Sequence, residues 1–61
     1  MRILVGVFSE QELKDGKDKI AVAKQMEESG LKYTDTKFIK NRGEIVAMKI
    51  WVCSLDETNT A

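Results

Sequence analysis

An apolar segment at the start of the sequence is followed directly, at Ser9, by the residues that typically begin a helix. This junction predicts the first two elements of the fold. Residues 2–8 are mostly apolar and rich in β-branched side chains, which is typical of a buried strand. Ser9 with Glu12 three positions later forms a capping box, and Phe8 with Leu13 occupies the positions of a hydrophobic staple. The sequence therefore predicts a strand that leads directly into a helix.

A helix is predicted over residues 10–29, with a weak point at Gly16 where a kink or short break is expected. The apolar side of its second part carries Ile20, Val22, Ala23 and Met26. Gly30 fits the left-handed position after the helix, and Leu31 is expected to contact Met26 as in a Schellman motif. These residues therefore mark the beginning and the end of one amphipathic helix.

Two further strands are predicted at residues 31–40 and 44–54, joined by the loop Asn41-Arg42-Gly43. A three-residue hairpin loop with glycine in the left-handed position is common. The cross-strand pairs that this loop implies are Lys40 with Glu44, Ile39 with Ile45, Phe38 with Val46, Thr36 with Met48, Asp35 with Lys49 and Tyr33 with Trp51. In this register apolar residues face apolar ones and opposite charges meet, as cross-strand pairing favours.

These elements indicate an α+β domain of β-α-β-β order, with one helix packed on one face of a three-stranded antiparallel sheet. The second strand is the most polar and suits an edge, whereas the third is almost wholly apolar and suits the centre. A right-handed crossover that leaves a gap for the third strand then gives the order 1-3-2. We expect one domain over residues 1–54 and a flexible tail over residues 55–61. The element order resembles half of a ferredoxin-like fold, a likeness that implies no function.

Strand alternation divides the hairpin into two faces. The more uniformly apolar, even-numbered face carries Phe38, Val46, Met48, Ile50 and Val52, and the helix is expected there. The odd-numbered face is then open, and the residues expected to bind protein on it are Tyr33, Ile39, Ile45 and Trp51. The alternatives are that another segment of the chain covers this face, or that the faces are reversed and Trp51 lies in the core. The first strand is expected to be an apolar edge, which also favours association.

The composition narrows the chemistry that the chain can perform. It has 61 residues, no histidine and one cysteine, which excludes an internal disulfide and argues against a metal site. We expect no enzyme activity, no cofactor and no small-molecule substrate, and we interpret Cys53 as a structural thiol. Ten basic and ten acidic residues balance, so net charge gives no pull toward nucleic acid or membrane. With no signal peptide or membrane span predicted, the expected location is cytoplasmic.

The expected function is that of a small non-catalytic protein-interaction module, a homodimeric regulator or an inhibitor of a larger protein. Proteins of this size without catalytic residues are often encoded by phages or mobile elements as inhibitors of host proteins. The alternative is a nucleic-acid-binding protein that uses the basic hairpin at residues 32–49. In that alternative Tyr33 or Trp51 stacks on bases, and the phosphate contacts come from Lys37, Lys40 and Arg42.

Overall fold

Three strands and two helices make up the part of the chain that the structure describes, residues 1–54 of a computed structural model. The elements are β1 (Arg2–Ser9), α1 (Glu10–Lys14), α2 (Lys17–Ser29), β2 (Tyr33–Asn41) and β3 (Glu44–Cys53). The strands form one antiparallel sheet in the order β1-β3-β2, which confirms the predicted α+β fold and strand order. The tail predicted at residues 55–61 lies outside the described residues.

Strand β3 occupies the centre of the sheet because it is the most apolar of the three. Its Ile50 and Val52 are 2% and 0% exposed, and Phe8 of β1 is buried with them. Cys53 is also buried, but it lies on the other face of the sheet, where it pairs with Arg2 and Tyr33. Every residue of β2 is exposed, as suits a polar edge strand. The core therefore lies beneath β1 and β3.

The junction between β1 and α1 contains no loop. Ser9 ends β1 and also caps α1, because its Oγ accepts a hydrogen bond from the Glu12 backbone N–H at 3.3 Å. The Glu12 carboxylate accepts in turn from the Ser9 backbone N–H at 3.1 Å, which confirms the predicted capping box. The backbone N–H of Ser9, and after it the Ser9 hydroxyl, lower the pKa of the Glu12 carboxyl by stabilising its charged form.

The helical segment is interrupted at the predicted weak point. Gly16 adopts a left-handed conformation, with φ of 75°, and separates α1 from α2. The N–H groups of Asp15 and Gly16 bond to the carbonyls of Gln11 and Leu13, so α1 closes before α2 begins. Glycine is favoured at this point because it adopts positive φ without strain.

Helix α2 ends at a glycine, but by a simpler motif than the sequence indicated. Gly30 is left-handed, with φ of 76°, and its N–H bonds to the Met26 carbonyl at 2.9 Å. A Schellman motif needs a further bond from the Leu31 N–H to that carbonyl. Leu31 donates instead to the Ser29 hydroxyl at 3.2 Å. The predicted Schellman motif is therefore wrong, and the helix ends in an αL motif.

Helix α2 packs over β1 and β3 and leaves β2 largely uncovered. Its half-buried residues recur at helical spacing and are Asp18, Ala21, Val22, Gln25, Met26 and Ser29. Val22 and Met26 belong to the predicted apolar side, but Ala23 is exposed and Ile20 is 71% exposed. Placing Ile20 and Ala23 on the buried side was wrong because both fall outside this repeat.

The hairpin turn has two residues, whereas the sequence predicted three. Arg42 and Gly43 both have positive φ, 54° and 83°, and Asn41 pairs with Glu44 across the turn. Positive φ at both central positions is the mark of a type I′ turn, whose twist matches that of the flanking strands. Asn41 is therefore part of β2 and not of the loop.

The cross-strand register of the hairpin also differs from the predicted one. Lys40 faces Ile45 but Ile39 faces Ala47, so Val46 is an extra residue that forms a bulge in β3. The pairs beyond the bulge include Phe38 with Met48, Thr36 with Ile50, Asp35 with Trp51 and Tyr33 with Cys53. The predicted pairs are wrong because the turn shifts the register by one residue and the bulge shifts it by another. Two shifts restore the parity, so residues beyond the bulge keep their predicted faces.

Replacing Ser9 by alanine is expected to lower the free energy of unfolding by about 1 kcal/mol, because the Glu12 N–H loses its acceptor. In so small a domain this lowers the thermal midpoint by several degrees, which circular dichroism measures. Ser9→Asp is the control, since aspartate also accepts the N–H bond and should retain the midpoint. Equal midpoints for Ser9→Ala and the wild type would show that the capping box does not stabilise the domain.

Candidate interaction surface

We call the sheet face opposite the helices the open face. Residues directly opposite each other share a face, so the strand pairing and alternation place on it Arg2, Leu4, Val7, Ser9, Tyr33, Asp35, Lys37, Ile39, Asn41, Glu44, Ala47, Lys49, Trp51 and Cys53. A bulge at Val5 shifts the register of β1, which is why Leu4 and Val7 share this face. Both are about half exposed, so the open face presents apolar side chains along its first strand.

Trp51 lies at the centre of the open face, beneath a side chain from the first strand. The Arg2 guanidinium carbon is 4.1 Å from the centroid of the indole ring, which is a cation–π contact. The same guanidinium donates a 2.7 Å hydrogen bond from Nη2 to Oδ2 of Asp35 and forms an ion pair with it. Arg2 belongs to β1, Trp51 to β3 and Asp35 to β2, so one side chain spans the sheet. We call these three residues the arginine clamp.

The register of the sheet explains why the clamp forms. Trp51 faces Leu4 on one side and Asp35 on the other, whereas Arg2 faces Cys53, two residues further along β3. Diagonal neighbours on one face are roughly 7–8 Å apart, a distance that a long arginine side chain reaches. Arg2 therefore crosses the indole diagonally to reach the carboxylate.

Further basic side chains lie beside the clamp. Lys49 places its Nζ 5.4 Å from the centroid of the Trp51 ring. Lys37 faces Lys49 directly across the strand pair, and like charges in this arrangement repel each other. The open face thus carries the cations of Arg2, Lys37 and Lys49 around the Asp35 carboxylate.

Three of the four residues predicted to bind protein lie on the open face. Tyr33 and Ile39 of β2 are 44% and 36% exposed, and Trp51 lies half-buried on the neighbouring strand. Ile45 is 49% exposed but faces Lys40, which the strand alternation puts on the other face from Ile39. The bulge in β3 therefore separates Ile45 from the other three.

The structure does not bring the predicted nucleic-acid contacts together. Lys37 lies on the open face, Lys40 on the opposite face and Arg42 in the turn. Sequence reasoning did not single out Arg2 or Asp35 as part of the site. Arg2 and Asp35 carry opposite charges on the two strands that flank Trp51. Their pairing could be predicted from the sequence only if the register of both strands were known.

A second group of exposed apolar residues lies on the helix side of the hairpin. Phe38 is 53% exposed and Ile45 is 49% exposed, because α2 packs on β1 and β3 and leaves β2 and the tip of the hairpin uncovered. Phe38 faces Met48, which faces the buried Phe8 on its other side. This group is therefore the outer border of the core.

The described part of the chain, residues 1–54, contains no pocket. The same residues include no cluster of three His, Cys, Asp or Glu side chains suited to a metal ion. Cys53 is a free thiol and is buried. None of the described helices has the length and apolar character needed to cross a membrane.

Replacing Arg2 by alanine is expected to lower the free energy of unfolding by about 1 kcal/mol, because the cation–π contact and the ion pair are both lost. The fluorescence of Trp51, the single tryptophan, should also shift to longer wavelength as the indole meets water. Denaturant titrations of Arg2→Ala, Asp35→Ala and the double variant measure the coupling, and the double variant should lose less than the sum. Fully additive losses would show that Arg2 and Asp35 do not act as a pair.

Comparison of the chain with protein-family models, curated proteins and solved structures finds no match. Its function is therefore inferred from the open face and the sheet edges alone.

Proposed function

We propose that this chain is a small non-catalytic protein-interaction module, a homodimeric regulator or an inhibitor of a larger protein, that binds through the open face. The observation that carries the proposal is the presence of Tyr33, Trp51 and Arg2 together on one face of the sheet. Tyrosine, tryptophan and arginine are the residue types most enriched in binding hot spots. Leu4 and Ile39 extend the apolar area around them.

The proposed mechanism is occupancy, in which a preformed surface docks on its partner and blocks or bridges it. The face is built on three paired strands, so its backbone needs no ordering on binding. Arg2 is already held by Trp51 and Asp35, so its side chain loses less rotamer freedom on docking than a mobile arginine does. Trp51, being half-buried, contributes chiefly by holding Arg2 in place.

The proposal includes a cytoplasmic location. The support for it is the free thiol of Cys53, since unpaired cysteines are usual in reducing compartments. A phage or mobile-element origin is in keeping with a small inhibitor of this kind.

The double variant Tyr33→Ser/Ile39→Ser tests the open face as the binding surface. Both side chains are exposed, so their removal should leave the core and the thermal midpoint unchanged while capture of protein from a lysate of the encoding organism is lost. Ile20→Ser is the matched control, because Ile20 is an exposed apolar residue on α2, away from this face. Equal capture of the same proteins by both variants would exclude the open face as the interface.

A nucleic-acid-binding protein is the second candidate, and one observation favours it. The cations of Arg2, Lys37 and Lys49 share the open face with Tyr33 and Trp51. Basic side chains that flank aromatic rings are the usual platform for single-stranded nucleic acid. Against it, Arg2 is already paired with a carboxylate and the net charge of the chain is zero.

Titration of labelled single-stranded DNA and RNA at two salt concentrations separates the two candidates. The protein-interaction proposal predicts that the chain does not bind either nucleic acid in a salt-dependent way. The nucleic-acid candidate requires an affinity that falls steeply with salt, and Lys37→Gln should then reduce the slope by about 1. Tight binding with such a slope would replace the protein-interaction proposal.

A further inference from the structure

The two edges of the sheet differ in their protection against strand addition. β1 carries a bulge at Val5, and bulges are among the features that blunt an edge. In β2, by contrast, every residue from Tyr33 to Asn41 has a partner on β3, so the strand has no extra residue of its own. All nine of its residues are exposed, and no other described strand lies beside its outer edge. The outer edge of β2 is thus a regular row of backbone groups open to another strand.

We infer that a second copy of this chain pairs antiparallel with the outer edge of β2, with the two-fold axis at Thr36. The inference rests on the proposed homodimer and specifies its interface. An isologous antiparallel pair places each residue opposite its mirror position about the axis. Thr36 then faces Thr36, and Asp35 of each copy faces Lys37 of the other.

Charge selects this register over its neighbours. With the axis one residue earlier, at Asp35, two carboxylates face each other, and with the axis at Lys37 two ammonium groups do so. With the axis at Thr36 the same residues form an opposite-charge pair, and symmetry makes it twice. Asp35 binds Arg2 through Oδ2, so its other oxygen can accept a bond from Lys37 of the second copy. That bond also compensates the repulsion between Lys37 and Lys49 of its own chain.

The other pairs in this register cover apolar side chains. On the open face Tyr33 meets Ile39 of the second copy, and on the helix side Thr34 meets Phe38, which is more than half exposed in the single chain. The unfavourable pair is Lys32 with Lys40, which symmetry also makes twice. Lys32 precedes the strand and both lysines are exposed, so salt and solvent screen their repulsion.

The assembled dimer is one continuous sheet with three strands from each copy, in the order 1-3-2-2-3-1. A two-fold axis perpendicular to the sheet puts all helices on one side and joins the two open faces on the other. The contact is isologous and uses the outer edge of β2 in both copies, so it closes at two. The joined open faces present two arginine clamps to a larger partner.

Charge-reversal variants test this register, with self-association measured by sedimentation equilibrium at micromolar concentrations. Lys37→Glu and Asp35→Lys, each alone, should weaken self-association about ten-fold or more, because each puts like charges opposite one another. An equal mixture of the two variants should associate like the wild type, since the mixed dimer restores both opposite-charge pairs. Lys24→Glu is the control, being the same change on an exposed residue of α2.

The stability of Lys37→Glu separates loss of pairing from loss of fold, because this variant, unlike Asp35→Lys, leaves the arginine clamp intact. Lys37→Glu should keep or raise the thermal midpoint measured at dilution to monomer, because it places a carboxylate opposite Lys49. A strictly monomeric wild type would overturn the inference. A dimer that both variants leave unchanged would overturn this register, while capture through Tyr33 and Ile39 would still support the proposed function.

Discussion

One helix is narrower than a three-stranded sheet, so it cannot cover the whole of one sheet face. This difference in width determines which apolar side chains of the domain are exposed. A helix with its side chains is about 10 Å wide and strands lie about 4.8 Å apart, so one helix covers two strands. α2 covers β1 and β3, where Phe8, Ile50 and Val52 are buried, and β2 stays exposed. Its thirteen residues span about 20 Å, less than the length of the hairpin strands, so the hairpin tip is also bare. The exposed apolar residues reflect this geometry.

The arginine clamp links the two edges of the sheet, which have no backbone contact with each other. Arg2 reaches over Trp51 to Asp35, so a side chain joins β1 to β2 across the central strand. The clamp also changes the character of the open face. An uncovered indole would be a largely apolar anchor, whereas an indole beneath a guanidinium forms a mixed surface that suits a partner with both apolar and acidic groups.

Short sequence patterns predicted the caps and the breaks of the helices, but they did not predict the pairing register of the strands. The cap at Ser9 and the left-handed glycines follow from hydrogen-bonding capacity and allowed φ, and the strand order followed from polarity. The two-residue turn was missed because Arg42 is not a residue that favours positive φ. The bulge at Val46 has no residue signature. The turn and the bulge each shift the register by one residue, and a total shift of two leaves every residue beyond the bulge on its predicted face. Ile45 lies between the two shifts, so its predicted face was wrong. The pairing of Arg2 with Asp35 required the full register.

Strand β3 is at once the centre of the sheet and the last of the described strands, and this sets the order in which they can pair. β2 can pair with β3 through a local hairpin, but β1 must close a loop that contains both helices and the hairpin before it finds a partner. Loop closure of this kind slows folding, and a two-stranded hairpin alone is marginal. Both strand pairings of residues 1–54 involve β3, so during synthesis this sheet forms only after β3 has emerged from the ribosome.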